Sequence, residues 1–165
     1  MNGPDKNTFS VDKLLTYGPE MTYGESYWLA PKEETREGKK KRSPEFVLDL
    51  GRKKLVNTVE LVNTPHNNPE NRSMGKFKVF LSDSSDGPWG EDQEVVSGSL
   101  ENSREQTDPR PVKRFFFKER KARFVKFQQK SFYGDGGGLR YFAVIDSGKT
   151  RLHCPLLSVI IIELN

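Results

Sequence analysis

The chain has a single cysteine, Cys154, which excludes an intramolecular disulfide and any cysteine-cluster zinc site. Histidine is nearly as scarce. His66 and His153 lie far apart with no second ligand at metal-motif spacing, so zinc catalysis has no support. No apolar run reaches the roughly 18 residues that a transmembrane helix needs. The opening Met1-Asn2-Gly3-Pro4-Asp5-Lys6 lacks the apolar core of a signal peptide. The expectation is therefore a protein that stays inside the cell, or a fragment of a secreted one. Catalytic constellations are missing too. The sequence offers no nucleophile elbow, no histidine beside a nucleophile and no paired carboxylates tied to a pocket, so an enzyme is not expected.

Aromatic residues, by contrast, are plentiful. They make up 11% of the chain, eleven of them Phe, although hydrophobic residues total only 33%. That is too aromatic for a disordered chain, and 165 residues are enough to bury the core of one domain. The net charge of +4 conceals a segregation. Asp83 to Asp108 carries eight acidic residues and one basic, whereas Arg110 to Lys130 carries nine basic and one acidic. A compact basic run, Lys39-Lys40-Lys41-Arg42, stands apart from both. Nucleic-acid binders present a continuous basic face, and a polarised chain does not promise one. Nucleic acid is not an expected partner.

Short strands separated by turn-rich loops dominate the pattern. Phe46–Leu50, closed by Gly51, reads as a strand, and Lys54–Val62 as a second. Lys76–Ser82 alternates most cleanly, with Phe77, Val79 and Leu81 on one face and Lys76, Lys78 and Ser82 on the other. A polar acidic stretch then runs to Pro111. Val112–Phe117 and Ala122–Gln128 read as strands joined by the hairpin connection Lys118-Glu119-Arg120-Lys121, and Leu139–Ile145 as another. The expectation is an all-β sandwich or barrel. The tail Leu156–Leu164 is a continuous apolar run of high β propensity, expected to pair at a sheet edge or bury in a partner chain.

Six segments in order carry a family resemblance: Tyr27-Trp28-Leu29-Ala30-Pro31, Phe46-Val47-Leu48-Asp49-Leu50-Gly51, Val56-Asn57-Thr58-Val59-Glu60-Leu61, Phe77-Lys78-Val79-Phe80-Leu81-Ser82 with Asp86-Gly87-Pro88-Trp89, Ala122-Arg123-Phe124-Val125-Lys126-Phe127, and Gly137-Gly138-Leu139-Arg140-Tyr141-Phe142. Together they resemble the discoidin-like, or coagulation factor V/VIII type C, domains of the galactose-binding-like superfamily. The resemblance implies a jelly-roll β-sandwich of about eight antiparallel strands over residues 1–145, with 146–165 as a tail beyond it. It also implies a non-enzymatic module whose loops at one end hold a glycan, an anionic phospholipid headgroup or a protein, often outside the cell. Two departures stand out. Relatives commonly join their ends by a disulfide, which one cysteine cannot do. Some hold calcium in the N-terminal loop, but Leu14-Leu15-Thr16-Tyr17-Gly18-Pro19-Glu20 lacks their Asp-Gly-Asp, leaving calcium open only through backbone carbonyls.

Two loops are candidate ligand sites. Asn63–Ser73 offers His66, Asn68 and Arg72, whose planar donors and acceptors suit sugar hydroxyls or a carboxylate. Its bland alternative is a solvated loop rich in turn formers. Ser131–Gly138 sets Phe132 and Tyr133 among four glycines, with Arg140 just beyond, and aromatic faces stack on sugar rings. Here the alternative is that Phe132 packs inward and the glycines only turn the chain. Trp28 and Trp89 read as packing residues. Lys39, Lys40, Lys41 and Arg42 form a basic patch for heparin, an anionic membrane or a nuclear address, or else a solvated loop. The expected function is glycan or glycoprotein recognition through the loops. The alternative is protein interaction or anionic-surface adhesion through the basic segments.

Overall fold

The computed structural model describes residues 14, 28–30, 44–64, 72–102, 111–134, 136–148 and 151–152. Among them lie seven strands: β1 (Trp28–Leu29), β2 (Glu45–Asn63), β3 (Lys76–Ser82), β4 (Glu94–Ser99), β5 (Lys113–Gln129), β6 (Gly138–Asp146) and β7 (Arg151–Leu152). All pairings are antiparallel, in the order β1-β6-β2-β5-β3-β4, with β7 also on β6. No described helix is long and apolar enough to cross a membrane. The tail beyond Leu152 lies outside the described residues, as does the run Lys39–Arg42.

Two expected interruptions, the strand end at Gly51 and the hairpin at Lys118–Lys121, are instead passed by single long strands. β2 continues through Gly51, and β5 continues through Lys118–Lys121. The reason is their mutual pairing, which holds on both sides of a corner: Asp49 faces Phe124 before it and Lys54 faces Ala122 after it. Gly51 turns the corner with φ 79°, and its N–H donates to Asp49 Oδ1 at 2.8 Å. A glycine here avoids the steric cost of positive φ. The bent β2–β5 ribbon therefore serves two layers. One contains β3, β4 and the first half of β2; the other contains β6 and the second half of β2.

Aromatic rings fill the space between the layers. Phe46, Phe77 and Phe127 from the first layer meet Phe142 and Phe115 from the second, with Phe46–Phe142 centroids at 5.6 Å and Phe77–Phe115 at 5.1 Å. Trp28 closes the cluster edge-on to Phe46 at 5.3 Å. β4, inside the stretch read as polar and acidic with no strand assigned to it, contributes Val96 to this core. Gly98 in β4 is required by contact: a Cβ there would lie 2.7 Å from the Phe115 ring and 2.8 Å from Phe77.

β3 matches its alternation on the inner face, where Phe77, Val79 and Leu81 are buried. Its outer face is less polar than expected. Phe80 and Ser82 are buried there too, and Lys126 Nζ stands 5.7 Å from the ring centroids of both Phe80 and Trp89. Trp89 therefore covers an outer layer of side chains.

The basic stretch is largely matched by carboxylates, most of them on β2. Arg123 donates to both oxygens of Asp49 at 2.8 Å, Arg114 to Glu60 at 2.6 Å, and Lys126 lies 3.0 Å from Glu45. Lys78 of β3 pairs with Glu94 at 2.6 Å, and Lys113 with Glu101 at 3.5 Å, the latter linking the basic and acidic stretches. The bidentate bond from Arg123 is the main cause that holds the Asp49 carboxyl below its ordinary 3.8, against the opposing effect of burial. A carboxyl depressed in the folded state contributes stability that is complete above its unfolded pKa and is lost as the proton returns. Stability should thus decline as pH falls through 3.8, and Asp49→Asn should flatten that part of the profile. Parallel urea titrations of both proteins from about pH 6 to pH 3 check this, an unchanged slope being the contrary result.

Candidate functional site

One end of the sandwich gathers the chain between strands. Residues 63–64 at the end of β2, 72–75 before β3, 100–102 after β4, and 130–134 with 136–137 before β6 meet there, beside β1. Asn63 ties three of these segments together. Its Oδ1 accepts from the N–H groups of Thr64 (3.0 Å) and Met74 (2.8 Å), and its Nδ2 donates to the carbonyls of Met74 (3.0 Å) and Glu101 (2.9 Å). A buried amide with both ends satisfied fixes geometry rather than weakening it. Asn63 is 4% exposed, so it acts as scaffold.

The glycine-rich segment docks on the same scaffold. Gly75 N–H donates to Ser131 O at 3.0 Å, Lys76 N–H to Ser131 Oγ at 2.8 Å, and Met74 bridges to Phe132. Tyr133 N–H donates to Ser73 O at 3.0 Å, while its hydroxyl donates to Leu100 O at 3.3 Å. The Tyr133 ring is thereby pinned at both ends across two loops and remains 37% exposed. Phe132 beside it is half-buried. An aromatic ring held in place at a wet rim can stack without losing much freedom on binding.

Arg72 reaches into this end rather than out of it. It is 3% exposed and donates through Nη2 to the Ala30 carbonyl. Gly136 makes room for it: its φ is 151°, and a Cβ there would lie 2.7 Å from Arg72 Nε. Ala30 in turn donates its N–H to Gly137 O at 2.9 Å, closing a loop of contacts between β1 and the glycine segment. Arg140, also buried, occupies the β6 bulge where the register with β2 shifts between Val62 and Asn63.

The structure therefore brings Arg72, Phe132 and Tyr133 together at one end, with Arg140 just inside it. His66 and Asn68 lie outside the described residues. Asn63 is the site residue that sequence reasoning overlooked. Its position ahead of Thr64-Pro65 reads as turn chemistry, and only the fold reveals its distant main-chain partners. Among the described residues no three His, Cys, Asp or Glu side chains stand close enough to hold a metal. Of the segment considered for calcium, only Leu14 is described, and it is buried in the core.

These features define a β-sandwich module with a loop-built end. The chain belongs to the F5/8 type C domain family, whose model matches residues 6–142. Solved structures with the same jelly-roll fold include CpGH89CBM32-5 from Clostridium perfringens, in complex with GalNAc-β-1,3-galactose. It is 17% identical with a TM-score of 0.60, covering 86% of this chain and 88% of that one. The family 32 carbohydrate-binding module of C. perfringens NanJ, in complex with galactose, is 14% identical with a TM-score of 0.56 over 84% and 86%. The lectin domain of lectinolysin, complexed with Lewis B antigen, is 20% identical with a TM-score of 0.53 over 86% and 87%. No curated protein matches the chain.

Proposed function

We propose that this chain is a non-enzymatic glycan-binding module whose ligand stacks on Tyr133 at the loop-built end. The observation that carries the reading is Tyr133, anchored through its N–H to Ser73 and its hydroxyl to Leu100 yet 37% exposed. Phe132 enlarges the apolar platform, and the neighbouring loops supply backbone and amide groups for sugar hydroxyls. The glycans held by the three structural neighbours support the same ligand class. The cross-strand ion pairs speak against the basic strand β5 as an adhesive face for anionic surfaces, because Arg114, Arg123 and Lys126 already spend their charge on carboxylates.

Tyr133→Ala should weaken binding to galactose-terminated glycans by about tenfold or more, the scale of one lost aromatic contact. Tyr133→Phe keeps the ring and should retain most of the affinity. Affinity of both proteins for the same immobilised glycans decides the matter. Equal binding by wild type and Tyr133→Ala would place the ligand elsewhere. Binding to neutral sugars should also change little with salt, whereas contact with an anionic membrane would weaken steeply.

A further inference from the structure

The outer face of the β6–β2–β5 layer carries an aromatic residue that neither the core nor the loop end uses. Phe116 points outward from the first part of β5 and is 76% exposed, although a large apolar ring in water gains nothing for stability. Across the sheet it stands opposite Thr58, and Thr58 opposite Ile145. Beside the ring lies a hollow of about 620 Å³ whose polar lining includes Asn57, Arg114, Asp146 and Ser147. Arg114 is braced there by Glu60, which also accepts from the Tyr141 hydroxyl at 3.3 Å. A second hollow of about 430 Å³ adjoins it, lined by Arg52, Lys53, Lys54 and Leu55, and the two share Asp146 and Ser147. Ser147 is itself fixed, donating to Leu55 O through N–H at 2.8 Å and through Oγ at 3.2 Å.

We propose that these joined hollows form a second saccharide site, distinct from the loop end, which takes an acidic oligosaccharide. A neutral pyranose stacks on Phe116, and an acidic sugar sits between Arg52 and Lys54. The charges set this polarity. Around Phe116 the carboxylates of Glu60 and Asp146 face the one guanidinium of Arg114, which disfavours an anion and suits hydroxyl donors. At the other end the shared Asp146 is outnumbered by cations: Lys53 pairs with Asp83 at 2.6 Å, while Arg52 and Lys54 make no ion pair among the described residues. From Glu60 to Lys54 the groove follows β2 for roughly 20 Å at about 3.3 Å per residue, longer than a single hexose. The acidic group is a carboxylate or a sulfate, since either meets a guanidinium in the same way.

Isotope-labelled protein is titrated with sialyllactose, sulfated lactose and lactose, and affinities are measured by calorimetry. An acidic sugar of either kind is expected to shift the amides of Leu55, Asn57, Phe116, Asp146 and Ser147, and comparing the two identifies the acidic group. Phe116→Ala should melt as wild type does, because the ring is exposed, and should lose about tenfold or more in affinity for the acidic sugars. The double variant Arg52→Ala/Lys54→Ala should bind acidic sugars no better than lactose, and raising salt from about 0.05 M to 0.5 M should act the same way. Amide shifts confined to Tyr133 and Gly136 would overturn the proposal while supporting the loop-end reading. An unchanged affinity in Phe116→Ala, or no shift at this groove with any of the three sugars, would overturn it as well.

Discussion

Replacing Phe127 by alanine is expected to cost about 3–5 kcal/mol, the range for emptying an aromatic core position. Phe127 is fully buried and lies at the centre of the ring cluster. It stacks on Phe46 at 5.1 Å and on Phe77 at 5.4 Å, and meets Phe142 at 5.6 Å and Trp28 at 6.3 Å. Four rings would line the void, and rings on paired strands cannot close it without moving the ladder that holds them. Collapse is therefore small and the cavity cost remains. Against a total stability of about 5–15 kcal/mol, the loss takes a large share of the fold. A melting temperature lowered by roughly 6–20 °C is the expected reading for a domain of this size. Phe116→Ala serves as the control, with a change within about 0.5 kcal/mol because that ring is already in water. Similar losses in both variants would mean that the aromatic cluster does not carry the core.

The parts of this architecture legible in the sequence are those whose burial is recorded in their own residue order. β3 and β6 could be read closely because local order records their facing: the inner face of β3 alternates, and β6 is a continuous buried run. The corner in β2 could not be read in this way. Gly51-Arg52-Lys53 has the chemistry of a turn, and whether the chain turns back or continues depends on β5, which pairs with it from about seventy residues away. β4 escaped notice for a different reason. With Gly98 replacing a side chain and only Val96 fully buried, it offers the core too little apolar surface to form a pattern.

The same distinction runs through the loop-built end. Tyr133, Phe132 and Arg72 stand out by residue type alone. Their tasks do not, because each is fixed by backbone groups remote in sequence: Leu100 for Tyr133, Ala30 for Arg72. The charge segregation likewise suggested separate acidic and basic territories. Folding instead set the basic stretch largely against carboxylates of β2, as Arg123 with Asp49 and Arg114 with Glu60 show, while Lys113 with Glu101 joins the two territories. Residue chemistry is written locally, whereas the partner that decides its use is supplied by topology.

Arg72 gives the second large effect, and it separates a scaffold from a contact residue. Arg72→Ala is expected to destabilise the protein by roughly 2–3 kcal/mol, since a hydrogen bond to a charged group is worth about 1.5–3 kcal/mol and the packed stem is lost with it. The guanidinium is buried against Gly136, and its bond to the Ala30 carbonyl ties β1 to the glycine-rich segment. Truncation leaves that carbonyl without its charged donor and opens a gap beside a glycine that adds no side chain to fill it. Arg72→Lys retains the charge but not the planar fork, so it should recover only part of the loss. The decisive comparison is between melting temperature and glycan affinity across Arg72→Ala, Arg72→Lys and Tyr133→Ala. Arg72 variants should lower the melting temperature, and any fall in affinity should follow the displaced loop. Tyr133→Ala should lower affinity more than stability. If Arg72→Ala instead melts as wild type does yet no longer binds glycan, Arg72 touches the sugar directly and the buried guanidinium is not what holds this end together.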